Sequence, residues 1–303
     1  MTFEVTILGS SSASPSYQRH PSAQVLNILE RFFLIDCGEG TQIQMERYKI
    51  KYHRINRIFI SHLHGDHYLG LMGLMSTMHL QGRTKELHIY AAKELEEIID
   101  IQLKYSQTTL RYPVIYHYTN VEKSEVIFED DQLTIETIIL NHRIPCTGFL
   151  FKEKRKPRKL IREMVEKYNI PVSALHAIKS GEDYNFNGKM IPNNEITIPS
   201  RTARSYAYCS DTLYDERILE QITGIDMLYH ESTFTHDLIE RAMETFHTTS
   251  KQAGMMATRA KVGKLLIGHF SARYKELNTM LKEAESEFKN TWLAIEGETF
   301  STE

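Results

Sequence analysis

Residues 62–67 read His-Leu-His-Gly-Asp-His, three imidazoles and a carboxylate within six positions. Burying that set without a metal would leave several polar groups competing for partners, so the stretch predicts a metal centre. It also requires a fold that brings further ligands from far along the chain. The preceding RIFISH (57–62) reads as a buried strand delivering the cluster at its C-terminal end. In extended backbone His62 and His64 point to one side and can share an ion. Gly65 permits a tight turn, after which Asp66 and His67 swing towards a second ion. Zinc takes imidazole nitrogen and carboxylate oxygen at about 2.0–2.2 Å, with about four donors per ion. Two ions therefore need ligands beyond these four.

Other strand ends supply them. QLTIETIILNH (132–142) ends at His142, SYAYCSD (205–211) at Asp211, and KLLIGHF (264–270) carries His269. The expected arrangement places His62, His64 and His142 on one zinc and Asp66, His67 and His269 on the other, with Asp211 as a bridge. Two ions roughly 3.5–4 Å apart activate a water as nucleophile and neutralise charge on an attacked phosphate. His79, His117 and His230 also adjoin apolar stretches. A lone histidine in such a place is usually a hydrogen-bonded core residue, so local evidence for His142, Asp211 and His269 is weaker than for residues 62–67.

The remaining chain suits a large α/β core. With 303 residues, 41% hydrophobic and 25% charged, it has an ordinary globular balance. FEVTILG (3–9), SAQVLNI (22–28) and RFFLIDCG (31–38) read as successive strands, and KELEEIIDIQLKYS (93–106) as a helix. YLGLMGLMSTMHLQG after His67 is helical and apolar on more than one face, so core or a partner subunit should cover it. No eighteen-residue apolar run is present, which predicts no membrane span. MTFEVTILGS alternates as a strand and lacks a signal-peptide pattern, which predicts a cytoplasmic protein. Cys37, Cys146 and Cys209 are odd in number and widely spaced, the pattern of buried thiols rather than of disulfides or a zinc knuckle.

Net charge is −3, which argues mildly against nucleic acid. Locally, KEKRKPRKLIREMVEK (152–167) holds eight bases against three acids. Such a stripe is the footprint of a phosphate-backbone partner. Lys154, Arg155, Lys156, Arg158 and Lys159 are the candidate contacts. The segment 152–190 breaks the strand–helix rhythm and reads as an insertion.

HLHGDH resembles the signature of the metallo-β-lactamase superfamily, whose αββα sandwich consists of two stacked mixed sheets flanked by helices. LGSSSASP (8–15), DCGEGTQIQ (36–44), HESTF (230–234), HTTSKQAG (247–254) and GHFSARY (268–274) together resemble the short form of ribonuclease Z, the tRNA 3′-processing endonuclease. The similarity runs along nearly the whole chain in order. It implies one domain over 1–303 with a protruding basic arm at 152–190 that grips tRNA, and two zinc ions per subunit held by the ligand set above. Asp66 takes the family's proton-acceptor position and His247 its proton-transfer position, with Glu231 as an orienting partner.

The resemblance further implies a homodimer, for which the Met-rich helix offers an apolar surface, and precursor tRNA as substrate. Cleavage would leave a 3′-hydroxyl on the tRNA and a 5′-phosphate on the trailer. Ser271 and Arg273 would hold a phosphate near the metals, and Tyr274 either stacks on an end base or packs in the core. DCGEG would form a tight turn beside the site. One departure is that Val172 and Ser173 stand where the arm often carries Gly-Pro. Two rivals remain at this level: a hydrolase of the same fold acting on a small molecule, and a non-enzymatic RNA-binding module with structural zinc.

Overall fold

The computed structural model describes residues 2–302. The chain divides into two compact units. The first comprises the residues up to Phe128, then Ile135–Phe151, then those from Arg204 onward; the second comprises Glu129–Thr134 and Lys152–Ala203.

In the first unit two seven-stranded sheets face each other. One runs in the order Thr299–Ser301, Phe3–Gly9, Ala23–Ile28, Arg31–Ile35, Ile55–Phe59, Leu87–Ala91, Val114–Tyr118. It is antiparallel as far as Arg31–Ile35 and parallel beyond. The other runs Thr291–Leu293, Lys264–Gly268, Met227–Glu231, Ser205–Cys209, Cys146–Glu153, Leu133–Leu140, Val126–Glu129. Its first four strands are parallel.

Strand alternation builds the layers. In Ser205–Cys209, Tyr206 and Tyr208 reach the opposite sheet, where their hydroxyls donate to Gln24 and Asp36. Ala207 and Cys209 face the other way and join a cluster with Ala253, Met256 and Met280 of the helices Ser250–Ala260 and Asn278–Glu287. The first sheet is covered likewise by Thr41–Arg47, Leu71–Leu80 and Glu94–Tyr105. Between the sheets, Phe59 stacks on Tyr90 at 4.6 Å and meets Phe149 and Phe151 edge-on at 5.3 and 5.4 Å. Each such buried aromatic ring contributes on the order of 1.5–3 kcal/mol. The result is an αββα sandwich. All three cysteines are buried and free.

Two expected elements end early. The strand expected to reach His62 stops at Phe59, because the Asp36 carboxylate takes the Ser61 amide at 2.7 Å in place of a ladder partner. The strand expected to reach His142 stops at Leu140. The helix after His67 buries Leu71, Leu74, Met75 and Met78 in its own unit and leaves Leu80 78% exposed.

The second unit has its own small core of Ile170, Ile178, Ile191 and Ile196. It contains the helices Arg162–Lys167 and Val172–Ser180 and the hairpin Tyr184–Phe186 with Lys189–Ile191. Val172, which stands in place of the Gly-Pro pair, begins the second helix and is exposed. The expected arm, 152–190, lies within this unit, which continues to Ala203. No helix among the described residues is long and apolar enough to cross a membrane.

Candidate metal centre

The loops at the C-terminal strand ends of both sheets converge on seven side chains. After Ile55–Phe59 the backbone passes His62 and His64 and enters a single helical turn, Gly65–Tyr68, that carries Asp66 and His67. Gly38 packs against that turn, and a β-carbon there would lie 2.4 Å from the Asp66 carbonyl oxygen. His142, Asp211 and His269 arrive from the opposite sheet, His269 with a left-handed φ of 60°, a strained conformation typical of functional positions.

Their ligand atoms form two groups. His62 Nε2 lies 3.0 Å from His64 Nδ1, which lies 3.2 Å from His142 Nε2. Asp211 Oδ2 closes this group at 3.6 Å from His62 and 3.8 Å from His142. In the second group Asp66 Oδ2 stands 3.4 Å from both His67 Nε2 and His269 Nε2. Asp211 Oδ1 is 3.4 Å from His67 and 3.2 Å from His269. Donors held tetrahedrally at about 2.1 Å from one ion are about 3.4 Å apart, the spacing of the second group. Asp211 thus turns one oxygen to each group.

The hydrogen-bond chemistry fits metal ligation. His67 Nε2 and His269 Nε2 are buried beside the Asp66 and Asp211 carboxylates but make no hydrogen bond, a costly state unless an ion accepts their lone pairs. Each opposite ring nitrogen is engaged. His67 Nδ1 donates to Asp36 Oδ2 at 2.7 Å, and His142 Nδ1 donates to the Phe246 carbonyl at 3.0 Å. His62 Nδ1 meets Ser61 Oγ at 3.0 Å, and that hydroxyl donates to Asp36. His269 Nδ1 meets Thr233 Oγ1 at 2.9 Å, and that hydroxyl donates to Glu231 Oε2. These contacts select the tautomers with free Nε2 lone pairs.

Electrostatics agree. Burial lowers the pKa of His62, His64 and His142, which favours the neutral ligand form. Burial opposes charge on Asp66 and Asp211, yet neighbouring histidines hold both well below the ordinary carboxylate range. Burial also opposes charge on His67, but Asp211, Asp36 and Asp66 raise it well above the usual histidine value. The excess negative charge attracts a proton where an ion would otherwise sit.

His247 lies between the groups, its ring centroid 5.4 Å from those of His142 and His269. Burial opposes its charge, but Glu231, 2.8 Å away, brings its pKa up to about 9. Helix capping does not need this histidine, because Thr249 and Gln252 form a capping box at Ser250–Ala260. An opening of about 330 Å³ leads to the centre, lined by Asp66, Asp211, His247, His269, Arg143 and Ala13 among others.

The chain carrying this centre aligns with known proteins along nearly its full length. Ribonuclease Z of Phocaeicola vulgatus is 52% identical over 295 residues, spanning 97% of this chain and 96% of its own. The chain belongs to the ribonuclease Z family. Human tRNase Z, short form, superposes with a TM-score of 0.72 at 25% identity, covering 99% of each chain. The metallo-β-lactamase fold protein YhfI of Bacillus subtilis superposes at 0.69 with 17% identity over 99% of this chain and 100% of its own, a likeness of fold. The family described as Anti-Pycsar protein Apyc1 matches residues 3–156.

Within this ribonuclease Z frame, other sequence candidates sit elsewhere. Ser271 is half-buried and Arg273 exposed, and neither lines the opening. Tyr274 packs on the core, its hydroxyl meeting Thr235. Lys154 pairs with Glu129 at 2.6 Å and Arg158 donates to Thr197, while Arg155 and Lys159 are exposed. His79 accepts the Arg111 amide, His117 lies against His88, and His230 holds the Glu231 carbonyl; none joins a ligand group.

Sequence reading missed Asp36, Ser61, Tyr208 and Thr233, which orient the ligands. It also missed the Ala13 amide, which donates to Asp66 Oδ2 at 2.8 Å, and Arg143 at the opening. Asp36 lies in the DCGEG turn, and an acid at that strand end was the available signal.

Proposed function

We propose that this chain removes the 3′ trailer from precursor tRNA, leaving a 3′-hydroxyl on the tRNA and a 5′-phosphate on the trailer, with two zinc ions at the paired ligand groups. The observation that carries this reading is Asp211, whose two carboxylate oxygens face one ligand group each, in a chain of the ribonuclease Z family. His62, His64, His142 and Asp211 would hold one ion, and Asp66, His67, His269 and Asp211 the other. Zinc supplied there lowers the pKa of a water and neutralises charge on the scissile phosphate.

The chain's own groups do the rest. Asp66 keeps its charge, lines the opening and is the proposed proton acceptor, its Oδ2 taking the Ala13 amide. His247 is protonated at neutral pH and delivers its proton to the departing 3′ oxygen as general acid. Glu231 holds that imidazolium in place from below, fully buried and accepting from Thr212, Thr233 and Thr248. Arg143 offers a cation to a phosphate oxygen.

The 152–190 arm is the proposed tRNA grip, through Arg155 and Lys159, both exposed, assisted by Lys154, Lys156 and Arg158. Ser271 and Arg273 are proposed as outlying phosphate contacts. A homodimer is proposed through the helix Leu71–Leu80, whose Leu80 is 78% exposed. Action on tRNA implies a cytoplasmic location.

The test is incubation of a 3′-extended tRNA transcript with zinc-loaded wild type, Asp66→Ala and Arg155→Gln/Lys159→Gln, with product ends mapped. Cleavage after the acceptor stem by wild type alone at full rate is expected. An uncut trailer beside rapid turnover of a small phosphodiester would overturn the reading.

A further inference from the structure

Three carboxylates line the opening to the metal centre: Asp66, Asp211 and Glu39. Asp66 and Asp211 belong to the ligand groups. Glu39 belongs to neither. It is exposed, and among the described residues no donor meets its carboxylate, Arg143 of the same opening included. It does not serve the helix that follows either, since Gly40 is the N-cap of Thr41–Arg47 and no side chain caps that end.

The backbone around Glu39 is fastened to the turn that carries Asp66 and His67. Cys37 N donates to the His67 carbonyl at 2.7 Å, and the Cys37 carbonyl accepts from Gly70 N at 2.9 Å. Gly38 N donates to the Ser22 carbonyl at 3.0 Å. A β-carbon at Gly38 would lie 2.6 Å from Pro21 Cβ, and one at Gly40 would lie 2.8 Å from the His20 ring. Gly40 has a left-handed φ of 84°, which glycine adopts at no steric cost. Glu39 is therefore the one side chain between two close-packed glycines, on a backbone fixed relative to the ligands. The same opening is lined by apolar groups, Ala13, Pro15, Pro21 and Leu69, the last 57% exposed.

A carboxylate repels phosphate and can only accept hydrogen bonds. In an opening that receives RNA, it gains a partner only where the nucleotide offers a donor. Base edges offer donors that differ from one nucleotide to the next. The ribose 2′-hydroxyl is the donor present on every nucleotide of RNA and on none of DNA. An enzyme that trims many precursor tRNAs meets varied bases beside the cut, so the constant donor is the one that a fixed acceptor can use. We propose that Glu39 accepts the 2′-hydroxyl of a nucleotide flanking the scissile phosphate, and so selects ribose over deoxyribose there. The inference rests on the tRNA-processing reading above and adds to it a specificity-determining residue that reads the sugar.

The test uses 3′-extended tRNA transcripts, all-ribose or with a single 2′-deoxynucleotide on either side of the cleavage site, in versions carrying A and versions carrying U there. Each is offered to the zinc-loaded full-length wild type, Glu39→Gln and Glu39→Ala. The readout is the ratio of kcat/KM for ribose over deoxyribose within one protein, so any loss of folded protein in a variant cancels. Wild type should cut one of the two deoxy substrates about ten- to a hundredfold less efficiently, the worth of a hydrogen bond to a charged acceptor. The ratio should fall towards one in Glu39→Ala and take an intermediate value in Glu39→Gln, whose amide oxygen is a neutral acceptor. Equal efficiency of wild type on ribose and deoxyribose overturns the proposal, and so does a ratio that both variants leave unchanged. A Glu39 effect that follows the base rather than the sugar also overturns it, in favour of a contact to a base edge. These outcomes leave the tRNA-processing reading standing, whereas a wild type that cuts none of the transcripts overturns that reading and this inference with it.

Discussion

His247 Nδ1 stands 2.8 Å from Glu231 Oε1, a carboxylate with no exposed surface whose remaining lone pairs take the Thr212, Thr233 and Thr248 amides and the Thr233 hydroxyl. The acid therefore has no freedom to turn away, and the imidazole is anchored as a cation beside the candidate ligands His142 and His269.

The pH dependence of cleavage follows. The raised pKa keeps His247 protonated below about 9, so the rate should fall as pH rises through that value. In Glu231→Gln the stabilising charge is gone, and the falling limb should move to lower pH. His247→Ala should lower kcat by about 10²–10⁴ with a smaller change in KM. A single-turnover pH–rate profile for the three proteins checks the order. An unmoved limb in Glu231→Gln would remove the dyad from the mechanism.

Metal content should track Asp211. Because its oxygens complete both ligand groups, Asp211→Ala is expected to lower metal per chain at both positions, with cleavage abolished in parallel. His142→Ala should deplete one position more than the other. Elemental analysis after dialysis reads the difference. A chelator should abolish wild-type cleavage, and added zinc should restore it.

Asp36 touches no ligand atom that faces an ion, yet it receives Ser61 N and Oγ, His67 Nδ1 and Tyr208 OH. Asp36→Asn should weaken metal affinity about 10–100-fold, since an amide cannot accept from all four. Tyr208→Phe removes one donor and should destabilise the fold by about 1 kcal/mol. Competition with a fluorescent zinc chelator and urea denaturation, respectively, measure these effects.

The exposed bases Arg155 and Lys159 should act on RNA alone. Replacing both with Gln is expected to raise KM for precursor tRNA and to flatten its salt dependence, by about 0.7–0.9 in log–log slope for each phosphate no longer neutralised. Turnover of bis(p-nitrophenyl) phosphate should stay constant. Reduced turnover of that small ester would place these residues' effect in the fold rather than in RNA binding.

The candidate ligands that the fold brings together were legible in sequence because their chemistry is dense at 62–67 and because His142, Asp211 and His269 each follow an apolar strand. The strand ends were less so. Apolar content runs on through Ile60 to His62, but the Asp36 carboxylate captures the Ser61 amide and ends the ladder, a hydrogen bond between residues 25 apart. Thr233 and Tyr208 were opaque for the same reason. Tyr208 meets Asp36 across 172 residues of chain, and nothing local distinguishes it from any inward-facing strand tyrosine. Ser271 and Arg273 follow the candidate ligand His269 directly in sequence, yet neither lines the opening.

Each ligand group draws from both sheets: His62 and His64 meet His142 and Asp211, and Asp66 and His67 meet His269 and Asp211. Neither half of the sandwich therefore holds a complete group by itself. A newly made or damaged chain whose sheets have not docked lacks a complete set of donors, and so has no means of cutting RNA. The centre thus reports on the chain's own integrity, and a misfolded copy in the cell is disarmed by the same parting of the sheets that makes it misfolded.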